Sequence, residues 1–359
     1  MAEVERRLHA KAARGPWGDL VATFVITVLA VGILFAAFIF AIDPYGTRTS
    51  LKRGPPPIMD NNQRHMYPQI ARSRRYDGVV FGSSTVRLLD PKRLGNLFGG
   101  RFANLGINGA TPWEELQLVE LFLRHTPAPK TLIWGIDPVW CEPDADRRRT
   151  TQFSFPAWLY DENASNEILG HLNLTTLQIA GRVALNRLGL MRERIRYDGY
   201  ERFVPPDSEY DLGRARQHFE EMRHPSWRAP AASRIETAAT IETPALSWLD
   251  DVLSRLPEPT KKILLFPPVH VSAQPAPGTL HSQVEAECKA RVAAIGKRRG
   301  AVVLDFRVPS SVTRDDSNYW DSLHYRVAIA ERLAASLRDA PQIEGPSPDR
   351  FFEVLSPGR

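Results

Sequence analysis

Val79-Val80-Phe81-Gly82-Ser83-Ser84-Thr85-Val86-Arg87 is the stretch on which the fold turns. An apolar run of strand character ends on a glycine and two serines, and a helix-like pattern follows, so the segment reads as a strand-to-helix turn. In a parallel α/β sheet such turns lie at the carboxyl ends of the strands, where ligands bind and helix N-termini offer free N–H groups. Ser84 therefore carries its hydroxyl at a place where chemistry is done.

Outward from this turn, apolar runs recur at 78–82, 102–105, 131–135, 262–266 and 301–306. Helical patterns separate them. One begins at Pro112 with Thr111 as N-cap and proline at the first helical position. Others cover 281–297 and the segment after His324, where Val327, Ala330, Leu333 and Leu337 share a face. Strands alternating with helices predict an α/β fold, a doubly wound and mainly parallel five-stranded sheet covered on both sides. Residues 141–259 break the rhythm and read as a large folded insertion within an outer domain spanning 76–345, with 346–359 a C-terminal tail.

The chain before this domain is of another kind. Leu20 to Ile42 holds no charged residue, long enough for a bilayer core that needs roughly 20 helical residues. Arg6, Arg7, Lys11 and Arg14 precede it and Asp43 follows, so 1–19 is expected as a basic cytoplasmic tail, 20–42 as a transmembrane helix and the main domain outside. The run is longer than a usual signal-peptide core and has no A-x-A-like site at its end, which favours an uncleaved anchor. The polar, proline-broken residues 43–75 read as a tether.

Composition narrows the function. The chain has 359 residues, is 43% hydrophobic and carries a formal charge of +5, but its 46 Lys and Arg are spread among 41 Asp and Glu with no basic stripe or recognisable module, which argues against nucleic acid. Two cysteines cannot make a disulfide framework or a metal site, and neither a metal nor a cofactor is expected. Cys288 falls at helical spacing with Val284, Val292 and Ile295 and reads as a small core residue, with a bridge to Cys141 the alternative. Asn163 and Asn173 head glycosylation triplets that matter only in a eukaryotic secretory host.

A serine nucleophile needs a general base within hydrogen-bond reach, itself oriented by a third group. Asp321-Ser322-Leu323-His324 supplies both near the carboxyl end, giving a triad of Ser84, Asp321 and His324. Acyl transfer also needs donors for a tetrahedral oxyanion. The glycine-rich Asn104-Leu105-Gly106-Ile107-Asn108-Gly109 follows the second strand. The amides of Ser84 and Gly109 are the natural donors, with the side chains of Asn108 and Asn104 beside them. Arg87, a turn after Ser84, and His270, after the fourth strand, are candidates for substrate contact. Asp137 and Asp305 are alternative orienters, and Trp113, Trp140 and Trp158 are candidate sugar-stacking surfaces, although each also reads as ordinary core or surface.

This ordered series resembles the SGNH (GDSL-like) hydrolase superfamily. The first block is Gly82-Ser83-Ser84, with Ser83 where the family has aspartate; the second is Asn104 to Gly109; the last is Asp321 to His324. At the third, Gly135-Ile136-Asp137, Ile136 replaces the family's oxyanion asparagine. With its N-terminal span the chain looks like the membrane-anchored branch, which includes alginate O-acetyltransferase-like and D-alanyl-lipoteichoic acid biosynthesis proteins. The resemblance implies a flavodoxin-like sheet and a serine-dependent O-acyltransferase, most simply an acetyltransferase, acting on an envelope or secreted polysaccharide outside the cytoplasmic membrane. It further implies a multi-span membrane acyltransferase that supplies the acyl donor. An acyl-ester hydrolase and a catalytically silent binding or assembly subunit are the alternatives.

Overall fold

The computed structural model describes residues 16–48, 56–221, 241–340, 343 and 345–358. Most of the expected cytoplasmic tail, and parts of the expected tether, insertion and C-terminal tail, lie outside the described residues.

The chain opens with α1 (Pro16–Ile42), long and apolar enough to cross a membrane. Then follow α2 (Gln63–Arg72), β1 (Gly78–Phe81), α3 (Pro91–Phe98), β2 (Phe102–Asn104), α4 (Pro112–His125) and β3 (Thr131–Gly135). After them come α5 (Ala164–His171), α6 (Leu174–Arg187), α7 (Leu212–Glu221), α8 (Ala245–Arg255), β4 (Lys261–Phe266), α9 (Leu280–Arg299), β5 (Val302–Asp305) and α10 (Val327–Asp339). Two short strands, β6 (Gly345–Pro346) and β7 (Glu353–Pro357), close the chain.

The sheet has seven strands in the order β2-β1-β3-β4-β5-β7-β6, the first five parallel and the last two antiparallel. The five-stranded expectation is corrected by the C-terminal residues, which are not a free tail: Val302 to Asp305 pair with β7, covering what would be an open edge. Successive strand residues face opposite layers. Val79 and Phe81 pack with Trp134 and Leu264 under α2, α4, α8 and α9, while Val80 packs with Ile133, Ile263 and Leu265 under α3 and α10. Burial on both faces explains why the strands read as continuous apolar runs. The order reverses between β2 and β3, so the crevice for a ligand opens beyond the carboxyl end of β1.

Two further expectations change. The tether does not hang free: Ile58, Met59, Met66, Tyr67 and Ile70 are fully buried, and α2 lies in the layer beside α4. Its irregular polar pattern reflects buried polar partners, not solvent. Cys141 and Cys288 form a disulfide with Cα atoms 5.8 Å apart, tying the loop after β3 to α9 across 147 residues of chain. Cys288 is a core residue as well as bonded, so helical spacing alone could not distinguish the two readings.

The helix α4 starts as its sequence dictates. Thr111 accepts from the Glu114 N–H while Glu114 reaches back to the Thr111 N–H, a reciprocal cap with Pro112 at the first turn. The next residue, Glu115, is fully enclosed; its Oε2 accepts from Trp134 Nε1 at 2.8 Å and Trp140 Nε1 at 3.3 Å. Burial drives its pKa well above the usual 4.5, only partly opposed by the indole bonds. The folded chain therefore holds a proton that the unfolded chain releases, and stability contributed by this group is greatest below the ordinary glutamate range and falls as pH rises through it. Glu115→Gln keeps an acceptor for both indoles and abolishes that slope, which is at most about 1.4 kcal/mol per pH unit. Urea unfolding at pH 5 and pH 8 is expected to show the variant gaining on the parent as pH rises.

Candidate active site

Gly82 sets the turn after β1. Its φ of +137° is closed to most side chains, and a Cβ there would press on Val86 at 3.0 Å and the Gly135 carbonyl at 3.2 Å. Ser83 is buried and extended, and Ser84 opens a short 3-10 turn that ends at Val86. The hydroxyl of Ser84, half-buried, lies 2.8 Å from Nε2 of His324.

His324 sits just before α10, in a turn built by Asp321. One carboxylate oxygen of Asp321 accepts the backbone N–H groups of Leu323 at 2.8 Å and His324 at 2.9 Å, and the two oxygens lie 2.7 and 3.0 Å from His324 Nδ1. Burial by itself would raise the Asp321 carboxyl, but the bond to His324, its charge and the two N–H groups together hold it below the usual carboxylate range. A carboxylate only accepts, so Nδ1 carries the imidazole proton and the lone pair of Nε2 faces the Ser84 O–H. Tyr325 locks the two loops together by donating its hydroxyl to the Thr85 carbonyl, and Phe203 stands edge-on to the imidazole at 5.3 Å. This relay can deprotonate a serine and return the proton to a leaving group.

The second-strand loop divides into a buried and an exposed half. Asn104 is not a ligand-facing residue. Its side chain is fully buried, donating to the carbonyls of Val86 at 2.8 Å and Leu89 at 2.9 Å and accepting from Gly106 N–H at 3.0 Å, which binds the loop to the serine turn. Asn108 and Gly109 are exposed, and their carbonyls accept from Arg64 at 3.1 and 3.4 Å. In a trans peptide the C=O and the following N–H point opposite ways, so the Gly109 N–H is aimed away from Arg64. Arg64 in turn makes a two-pronged ion pair with Glu114, at 2.8 and 2.6 Å, and donates to Thr151 at 3.2 Å. The former tether thus pins the candidate oxyanion loop.

Other expected residues take structural roles. Arg87 is buried in an ion pair with Glu201 of the insertion and lies 4.5 Å over the Phe203 ring, so it holds the insertion against the serine turn and has no free guanidinium for substrate. His270 does not reach the triad: it pairs with Asp316 at 3.1 Å and Ser272 at 2.8 Å and stacks on Phe219 at 4.3 Å. Burial lowers its pKa, partly offset by Asp316. Its backbone N–H does bond the Ser322 carbonyl at 2.9 Å, bracing the triad loop from behind. Asp137 accepts from Thr85 at 3.0 and 3.1 Å and Asp305 pairs with Lys289 at 2.8 Å, so neither orients His324. Ile136 is fully buried and its N–H goes to Leu265. Trp140 is core, and Trp113 and Trp158 pack on Phe155 and His171.

Four contributors had no clear signal in the sequence: Arg64, Thr85, Tyr325 and Phe203. Phe153, also from the insertion, stands on the other flank, 5.0 Å from the Arg64 guanidinium and beside Gly109. In the comparisons with known proteins, no family model matches the chain and no curated protein matches it.

Proposed function

We propose that the chain is a membrane-anchored acyltransferase of the SGNH type that O-acylates, most simply O-acetylates, a cell-envelope or secreted polysaccharide. The observation that carries the reading is the Ser84–His324–Asp321 relay, with its 2.8 Å and 2.7 Å bonds, at the carboxyl edge of the parallel sheet. The strand order 2-1-3-4-5 of the parallel part supports the family resemblance. The disulfide supports an oxidising compartment outside the cytoplasm, in keeping with α1 as a single span with its N-terminus inside.

Ser84 Oγ attacks the acyl carbonyl as His324 Nε2 takes its proton; the proton then passes to the departing group, leaving an acyl-serine. His324 next takes the proton of a sugar hydroxyl, whose oxygen attacks the acyl carbon, and returns that proton to Ser84 Oγ as the acyl–serine bond breaks. The N–H groups of Ser84 and Gly109 receive the oxyanion in both steps. One span cannot carry an acyl group across a bilayer, so a separate multi-span membrane protein supplies the donor.

The test is incubation of the full-length protein with an activated acetyl ester and a glycan oligosaccharide, read by mass spectrometry. An acetylated glycan that depends on Ser84 is the expected result. Release of acetate without acetylated glycan would make the chain an esterase. Absence of both acetyl-serine and turnover would make it a silent binding or assembly subunit.

A further inference from the structure

The helix α6 is apolar on two opposite faces. Thr176, Ile179, Ala180 and Val183 are buried against the domain, whereas Leu174, Leu177, Leu185 and Leu188 recur at helical spacing on the outward side. Leu177 is half-buried, but the others stand open: Leu174 is 80% exposed and Leu188 72%, joined by Leu169 at 73% from α5 and Leu190 at 73% just beyond α6. An uncovered leucine patch of this kind on the outward side of a helix marks an interaction surface.

What lies beside the patch identifies its cover. The last turns of α1 pack directly on α6, with Ile39 fully buried, Phe40 5.8 Å from the His171 ring and the Tyr45 hydroxyl 3.2 Å from Thr176. The leucines therefore stand on the helix against which the last turns of α1 are packed. The polar edge is net basic: Arg48 lies 3.8 Å over the Phe40 ring, and Arg187, Arg192 and Arg194 are exposed around the end of α6 with one acidic residue, Glu193, among them. Leucines below and arginines at the rim match the boundary between acyl chains and anionic headgroups.

The geometry points to α5 and α6 as a second, interfacial membrane contact: their leucine face is immersed in the outer leaflet of the bilayer that α1 spans. This rests on the reading of α1 as a span. The occupant is lipid, and the consequence is a domain held at one height and tilt over the membrane by two attachments in place of a single tethered helix.

Because Cys141 and Cys288 are bonded to each other, single cysteines can be added and spin-labelled in the full chain under non-reducing conditions. The probes are Leu174→Cys and Leu188→Cys, with Ile26→Cys inside α1 and Lys92→Cys on α3 as references, in nanodiscs of phosphatidylethanolamine and phosphatidylglycerol. Collision with a water-soluble nickel chelate is expected to fall about fivefold at Leu174 and Leu188 relative to Lys92, with dissolved oxygen favoured instead. If both stay as accessible as Lys92 while Ile26 is protected, the interfacial contact is wrong and the span stands. If Ile26 is accessible too, the span reading fails and this inference with it. Protection that appears only in native membranes and not in the lipid nanodiscs assigns the face to a protein and overturns lipid as occupant.

Discussion

Ser84→Ala is expected to reduce turnover of an activated acetyl ester by about four to six orders of magnitude, the loss seen when a serine nucleophile is removed from a working triad. His324→Ala should lose about as much, and the double variant no more than either, because residues that act as one unit are not additive. Asp321→Asn is expected to keep the fold, yet to fall by about 10⁴-fold, since an amide in place of the carboxylate stabilises the wrong imidazole tautomer. The physical basis is the directed pair of bonds, one donated by Nδ1–H to Asp321 and one donated by the Ser84 hydroxyl to Nε2. Steady-state kinetics on the purified full-length protein measure all four variants. Undiminished turnover in Ser84→Ala would remove this serine from the chemistry.

Arg64→Met should be the most damaging substitution to stability. Arg64 and Glu114 are 2% and 0% exposed, and removing the cation strands a buried carboxylate, at a cost of about 3–5 kcal/mol. Adding Glu114→Gln removes the stranded charge while leaving an acceptor in the Thr111 cap, so the double variant is expected to recover much of the loss. Activity should not recover with it. The carbonyls of Asn108 and Gly109 still lack their anchor, and a displaced oxyanion donor costs about 10²–10³ in rate. Urea unfolding with parallel kinetics separates the two effects; equal recovery of both would reduce Arg64 to a purely structural ion pair.

How legible the site was depends on how far apart its partners lie. Asp321 and His324 are three residues apart, and the carboxylate that orients the imidazole also caps its own turn, so the pair is written in a local pattern. Asn104 shows the opposite. It occupies the family-like position, yet a buried side chain bonding Val86 and Leu89 ties loops together and does not face a ligand, and residue type cannot tell these apart. Arg87 and His270 failed for the same reason, since Glu201 and Asp316 satisfy them from distant segments. The polar run containing Arg64 looked solvated because its partner Glu114 comes fifty residues later.

By itself the amino-acid sequence determined what neighbours along the chain can encode: the long apolar helix, the alternation of strands and helices, the glycine-bearing serine turn, the cap of α4 and the Asp-to-His turn. The tertiary structure alone decided which of these meet. It closed the 240-residue separation between Ser84 and His324, added a paired edge from the C-terminal residues, folded the supposed tether under the candidate oxyanion loop and joined Cys141 to Cys288. Periodicity and caps are short-range consequences of backbone geometry, whereas burial and pairing depend on what the rest of the chain brings alongside, which no local pattern contains.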